Sequence, residues 1–313
     1  MRLLNVILSL TGGGTERQAA AVAAALARRG HDVHVASIYG GVNLQRLEGS
    51  GCTLHHLAAS AKYDPRLLTR SISLVRRLRP DVVQTWLVHM DVIAGSAARL
   101  LRVPWVMAER SAALSYPPTP LNRVRVAAGR RADRLVANSP GGAEYWRANG
   151  VDPARIEIIP NWVSSTEIES ADPLDDARVA GEDELVLYVG RLSPEKNLDA
   201  LFDALPQVFS ARPRAKCALL GEGPLLGRLE ARAAGPGMDR RVVFAGFVPN
   251  VGSWLKRASV VVSVSPCEGH PNAVLEAMAA GVPVVVSDIP AHRSILDQDS
   301  ASFVPADDAR AIA

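Results

Sequence analysis

The chain reads as an α/β protein made of two doubly wound, Rossmann-like parallel sheets in tandem. Short apolar, β-branched runs alternate with amphipathic helical stretches along its whole length, the pattern of βαβ units. That periodicity stops at 161–183, a stretch rich in Asp, Glu, Ser and Pro, and then resumes. At 313 residues there is room for two domains of ordinary size. We place them at 1–160 and 184–313, joined by a linker at 161–183. Ligands in such sheets bind beyond the carboxyl ends of the strands, so the two domains are expected to face each other across a ligand cleft.

Along the first half, strands are expected near 3–9, 33–38, 53–57, 81–86, 104–108, 134–138 and 156–159. The run at 3–9 has the apolarity of a signal peptide but lacks a small-residue cleavage site. It leads straight into a glycine turn and a helix, so it is the first strand. Helices are expected near 16–29, 66–79, 91–102, 120–131 and 140–149. Beyond the linker, strands recur near 184–190, 215–220, 241–245, 259–264, 283–287 and 302–304. Helical patterns follow at 198–209 and 272–280, the second opened by Pro271 in its first turn and stopped by Gly281 and Pro283. The chain ends at Asp307-Asp-Ala-Arg-Ala-Ile-Ala313, which reads as the opening of a helix, and we expect it to be truncated there.

Composition narrows the class. The hydrophobic fraction is 48%, and no apolar run approaches the ~18 residues that span a bilayer. Three cysteines, Cys52, Cys217 and Cys267, show no metal-ligand spacing and read as reduced thiols of a cytoplasmic protein. Charge is uneven: residues 1–160 carry 21 Lys and Arg against 11 Asp and Glu, whereas 161–313 carry 14 against 21. A basic first half suggests an anionic surface or substrate. Its candidates are Arg66, Arg70 and Arg77, on a helix whose other face carries Leu68, Ile72 and Val75, and the group Arg123, Arg130, Arg131 and Arg134. For either cluster, a merely solvated face is at least as good a reading.

The chemistry concentrates in two strand-to-helix turns. Ser263-Val-Ser-Pro-Cys-Glu-Gly-His-Pro-Asn-Ala-Val-Leu-Glu276 puts Glu268 on the loop after a strand and Glu276 one turn into the next helix. A helix start offers free N–H groups and a dipole suited to phosphate. A carboxylate on each side could hold sugar hydroxyls flanking a diphosphate. The second turn, Gly190-Arg-Leu-Ser-Pro-Glu-Lys-Asn197, carries Arg191 and Lys196, two cations able to neutralise a diphosphate leaving group. Lys196 is one of four lysines among 35 basic residues, so composition does not explain it.

Four ordered motifs now carry a resemblance: Gly190-Arg-Leu-Ser-Pro-Glu-Lys-Asn-Leu198, Gly221-Glu-Gly-Pro224, Val243-Phe-Ala-Gly-Phe-Val-Pro-Asn250 and Glu268-Gly-His-Pro-Asn-Ala-Val-Leu-Glu276. Together they resemble the retaining "glycosyl transferases group 1" enzymes, similar to glycosyltransferase family 4, with the two-domain GT-B fold. The resemblance implies that Arg191 and Lys196 hold the donor diphosphate, Glu268 the transferred sugar and Glu276 the ribose. Gly269, His270, Pro271, Asn272 and Ala273 would line the donor, and the backbone around Val248 would lie beside the base. A UDP- or GDP-sugar is the expected co-substrate. No acidic metal-binding cluster appears in the sequence, so no metal or other cofactor is expected, nor a nucleic acid. The basic first half suggests anionic lipid and a lipid-linked or cell-envelope glycan acceptor. The enzyme would be cytoplasmic or peripheral at the membrane's inner face.

In the first half, Leu10-Thr-Gly-Gly-Gly-Thr-Glu-Arg17 is a glycine turn before a helix. A dinucleotide dehydrogenase fingerprint would need glycine where Arg17 stands, and the second strand ends without a ribose-binding acid. The turn instead looks like the family's phosphate and acceptor loop, with Gly13, Gly14 and Glu16 as candidates, although tight-turn geometry explains some of the glycines. Relatives often place a donor-touching histidine after the fourth strand. Trp86 stands at that position in one alignment and His89 in another, and a helix-capping role for His89 is equally open. Glu109 and Arg110 end the next strand and would either point toward the acceptor or pair with each other. A sugar-nucleotide epimerase and a non-catalytic nucleotide-sugar binder remain the rivals.

Overall fold

The computed structural model describes residues 1–59, 61–111, 116, 118–238 and 240–313. Seven strands come first: β1 Arg2–Ser9, β2 Asp32–Tyr39, β3 Thr53–His56, β4 Val82–Trp86, β5 Trp105–Glu109, β6 Arg134–Ala137 and β7 Ile156–Ile158. They alternate with α1 Gly14–Arg28, α2 Arg66–Leu78, α3 Val88–Leu100, α4 Pro120–Gly129 and α5 Pro140–Ala148. Thr119 and Ser139 cap α4 and α5, each before a proline in the first turn, which fixes where those helices start. All strands pair in parallel in the order β3-β2-β1-β4-β5-β6-β7. Neighbouring residues on a strand face opposite sides: Val6 belongs to the core layer that holds Leu67, Met90 and Trp146, whereas Ile7 belongs to the one that holds Ala20, Ala24 and Leu47. Helices on both faces thus bury the sheet.

The second unit repeats the plan. After α6 Ser165–Glu169 come β8 Glu184–Val189, α7 Leu198–Ala211, β9 Ala215–Leu220, α8 Leu226–Ala233, β10 Val242–Gly246 and α9 Gly252–Arg257. Then follow β11 Val260–Ser263, α10 Asn272–Ala279, β12 Val284–Ser287, α11 Pro290–Arg293, β13 Ser302–Val304 and α12 Ala309–Ile312. These strands are also parallel, in the order β10-β9-β8-β11-β12-β13. Tyr188 packs toward Leu198, Phe202 and Leu229, while Leu187 packs toward Trp254 and Val274.

The expected linker needs correcting. The chain divides between Asn161 and Trp162, and 162–183 belongs to the second unit. Ile168 and Ala171 are buried beside it. Lys256 donates to the carbonyls of Glu169 and Ala171, and Arg257 to those of Ala180, Gly181 and Asp183. Side chains from α9 satisfy the segment's backbone, so it needs no periodic pattern of its own. Among the described residues no helix is long and apolar enough to cross a membrane.

The basic helix α2 differs in detail from expectation. It buries Leu67, Ser71, Leu74 and Val75 and leaves Leu68 exposed. Arg66 forks onto the buried Asp64, with Arg70 at 3.8 Å from the same carboxylate.

Candidate active site

In each sheet the strand order reverses between two central neighbours, β1/β4 and β8/β11. Loops leave such a pair in opposite directions and open a crevice at the carboxyl ends. The turns singled out in the sequence sit at these two places, and each unit holds its own group.

In the second unit, Arg191 and Lys196 follow β8, and Glu268 follows β11. Lys196 ends a short 3-10 turn, Pro194–Lys196, before Asn197 takes a left-handed conformation with φ 54°. Lys196 Nζ lies 2.5 Å from Glu268 Oε1, with a quarter of the lysine side chain and 15% of the glutamate side chain exposed. This charge-assisted bond joins the two loops across the reversal. Asn197 Nδ2 donates to the carbonyls of Val264 (3.2 Å) and Ala306 (2.6 Å), tying the lysine loop to the end of β11 and to the chain after β13. Arg191 is exposed, and its carbonyl accepts from the buried Tyr188 hydroxyl at 2.8 Å.

The Gly221-Glu-Gly-Pro224 motif supports that loop from beneath. Gly221 has φ +139°, and a Cβ there would stand 2.0 Å from the Gly190 carbonyl oxygen. Only glycine combines this conformation with this approach.

Pro271 is extended at the N-cap of α10, one place earlier than expected, and no side chain caps the helix. Asn272 and Ala273 open the helix and are half-buried; Gly269 is buried, and His270 and Val248 are half-buried. Glu276 is buried on α10. Asn250 caps the backbone of Gly252 at the start of α9.

In the first unit, the glycine turn works differently from the sequence expectation. None of its glycines has positive φ; Gly13 is extended at −69°, 154° and α1 starts at Gly14. Gly13 is needed for space, since a Cβ would lie 2.1 Å from Glu16 Oε2. Glu16 turns back on the helix start, and Ser9 Oγ donates to it at 3.1 Å. A carboxylate therefore already complements the α1 dipole, which weakens Gly13 and Gly14 as a phosphate cradle and Glu16 as an acceptor contact.

Between Trp86 and His89, the structure separates the roles. Trp86 is buried with Nε1 donating to Asn5 Oδ1 at 3.1 Å. His89, in the first turn of α3, is half-buried against Tyr63 at 5.1 Å between ring centroids. Its Nε2 is buried and has no hydrogen-bond partner among the described residues. Burial, with Lys62 nearby, lowers its pKa and favours the neutral ring.

Glu109 and Arg110 do not act together. Glu109, the last residue of β5, is fully buried and inward-facing. Arg125 lies 3.0 Å from its Oε2, Trp146 Nε1 donates at 2.8 Å, the Ser111 N–H at 2.8 Å and the Tyr116 hydroxyl also donates. An acceptor-facing role for Glu109 is thereby corrected. Arg125 also bonds Asp91 at 2.8 Å, whose pKa burial pushes up to about 6. Arg110 turns the other way, as alternation along a strand requires. It lies over the Trp86 ring at 5.2 Å and donates to Asn161, and burial lowers its pKa to about 10.

Residues 183–313 match Glycosyl transferases group 1, and residues 12–167 match Glycosyltransferase Family 4. Each half of the chain is thus matched by a glycosyltransferase family, the second half by group 1. It is 25% identical over 310 residues to an uncharacterized glycosyltransferase of Methanocaldococcus jannaschii, covering 88% of this chain and 77% of that protein. It is 32% identical over 176 residues to the phosphatidyl-myo-inositol mannosyltransferase of Mycobacterium leprae, covering 55% of this chain but only 46% of that protein. The crystal structure of Anabaena HepE in complex with UDP-glucose superposes with a TM-score of 0.85 at 19% identity, covering 99% of this chain and 87% of that one. The likeness establishes the GT-B fold, two parallel-sheet α/β units of seven and six strands.

One feature of the glycosyltransferase's second unit escaped the sequence. Behind Glu268, the fully buried His292 and Ser287 form a polar group with Ser265. A single histidine on a four-residue helix carries no spacing signal.

Proposed function

We propose that the protein transfers a sugar, with retention of anomeric configuration, from a UDP- or GDP-sugar to a hydroxyl of a lipid-linked or cell-envelope glycan. The observation that carries this reading is the Lys196–Glu268 pair spanning the β8/β11 reversal just ahead of α10. Arg191, Lys196 and the α10 N–H groups would take up the charge released when the anomeric carbon parts from the diphosphate, a role that needs no metal. Glu268 would accept hydrogen bonds from the sugar and Glu276 from the ribose. In the first unit, Arg110 and His89 are the acceptor-side and sugar-side candidates that keep polar atoms without a carboxylate partner among the described residues. The acceptor hydroxyl would attack from the face the diphosphate leaves, giving its proton to the departing phosphate oxygen. The mycobacterial relative's lipid substrate and the basic first half support a membrane-borne acceptor.

Thermal melts with UDP-, GDP- and ADP-sugars test the reading, because a bound donor raises stability according to its concentration over Kd. A rise with one nucleotide series, followed by donor hydrolysis or transfer, is expected. Binding without hydrolysis or transfer would instead leave a nucleotide-sugar binder.

A further inference from the structure

His292 is fully buried on α11, yet packing alone does not explain an imidazole there. Its Nδ1 lies 2.8 Å from the Ser287 carbonyl oxygen, which can only accept, so Nδ1 carries the ring proton. The same Nδ1 is 3.2 Å from Ser287 Oγ, and that hydroxyl's own proton goes to the Ser265 carbonyl at 2.5 Å. In the neutral ring Nε2 is then a bare acceptor, and it is buried with no hydrogen-bond partner among the described residues. An unmet acceptor costs free energy that an apolar side chain of similar volume would spare. The ring is therefore kept for its Nδ1–H.

What that N–H secures is the loop bearing Glu268. The β11–β12 ladder ends at Ser263↔Val286. One residue further, Ser287 Oγ replaces the missing backbone rung by holding the Ser265 carbonyl, and His292 fixes that hydroxyl's rotamer. Glu268 follows three residues later and meets Lys196, whose own loop Asn197 ties to Val264. Burial lowers the pKa of His292 and keeps the ring neutral, with the Ser287 carbonyl and Glu268 opposing that shift and Lys196 adding to it.

We propose that His292 is a positioning residue: through Ser287 and Ser265 it holds the Glu268 loop at the geometry the transferred sugar requires. The consequence for transfer rests on the donor-site reading above, whereas the brace itself does not.

Two substitutions separate the ring's parts. H292N retains a donor near the Nδ1 position and removes Nε2; H292F fills the space without a donor. Amide hydrogen exchange across 264–269 in the ligand-free chain should quicken in H292F and in S287A and stay near wild type in H292N. Unchanged exchange in both H292F and S287A overturns the proposal, whatever the protein binds. Calorimetry with UDP against UDP-glucose, and GDP against GDP-mannose, then reads the consequence. H292F should keep its affinity for the plain nucleotide while the sugar nucleotide's advantage disappears and kcat/KM falls about 10- to 100-fold, the scale of a misplaced contact. Equal losses for nucleotide and sugar nucleotide would mark a general packing defect and overturn it. A wild-type chain that binds neither series defeats the functional reading alone, and the exchange experiment still decides on the brace.

Discussion

At the residue scale, the Lys196–Glu268 bond means that neither side chain can be changed without releasing the other. K196A and R191A are each expected to lower kcat/KM for transfer by about 2–4 kcal/mol, or about 30- to 1,000-fold, the usual loss of one preorganised charge partner. Wild-type turnover in both variants would end the diphosphate assignment. E276A should weaken binding of the free nucleoside diphosphate, whereas E268A should not weaken it and should erase discrimination by the sugar. Calorimetry that ranks the two the other way round would exchange their roles. These residues were legible because charged side chains at strand-to-helix turns are conspicuous in an apolar pattern. Glu109 misled for the opposite reason: nothing local announces Arg125, which reaches it from α4. His292 was silent because its partners meet it only once β12 lies beside β11.

At the element scale, strands were read to within a residue or two, since each is a short, largely apolar run and most are rich in β-branched residues. The segment carrying α6 was missed, because a five-residue helix held by Lys256 shows no period. The buried charges between α3, β5 and α4 make a sharper test. Arg125 bonds Asp91 and Glu109 at once and lies over the rings of Tyr116 and Trp146, at 4.7 and 5.1 Å. R125M strands two carboxylates inside the sheet layer and should cost about 3–5 kcal/mol in urea unfolding; a loss below 1 kcal/mol on the scale of an ordinary surface change would refute the pairing. Asp91 adds a pH dependence. Its pKa is raised from 3.8 to about 6, so between those values the native state holds more protons than the unfolded chain. Its contribution is therefore full below the unfolded pKa and is lost as pH rises through about 6, by about 3 kcal/mol. Wild type should lose stability relative to D91N over that window and run parallel to it above about pH 7; parallel curves throughout would show an Asp91 that titrates normally. G221A, with its positive φ and its clash with Gly190, should cost about 2–3 kcal/mol. G13A should cost less, because the Glu16 side chain it meets can swing aside.

For the whole molecule, the uneven charge bears on where the enzyme works. Arg66 and Arg70 are drawn to Asp64, so they count for less at a surface than their number suggests. Arg123, Arg130, Arg131 and Arg134 are exposed and have no carboxylate partner among the described residues. With ~1 kcal/mol from each basic residue near anionic lipid, this group suffices for reversible attachment that salt releases. Sedimentation with anionic vesicles at low salt should pull the protein down and high salt should free it. Equal recovery with neutral vesicles would leave the arginines as a solvated face and point to a soluble acceptor.

The pairing of Lys196 with Glu268 also bears on how fast a donor arrives. While Lys196 holds Glu268 its charge is offset at 2.5 Å, so it adds little to the field felt by an approaching diphosphate. Of the two cations assigned to the diphosphate, the exposed Arg191 is left to attract it, and Lys196 would join only on parting from Glu268. Stopped-flow association of the donor nucleotide should accordingly respond only weakly to ionic strength, and E268Q, which frees the lysine, should speed association and make it steeply salt-sensitive. On this reading Lys196 would act on how long the donor stays more than on how fast it arrives.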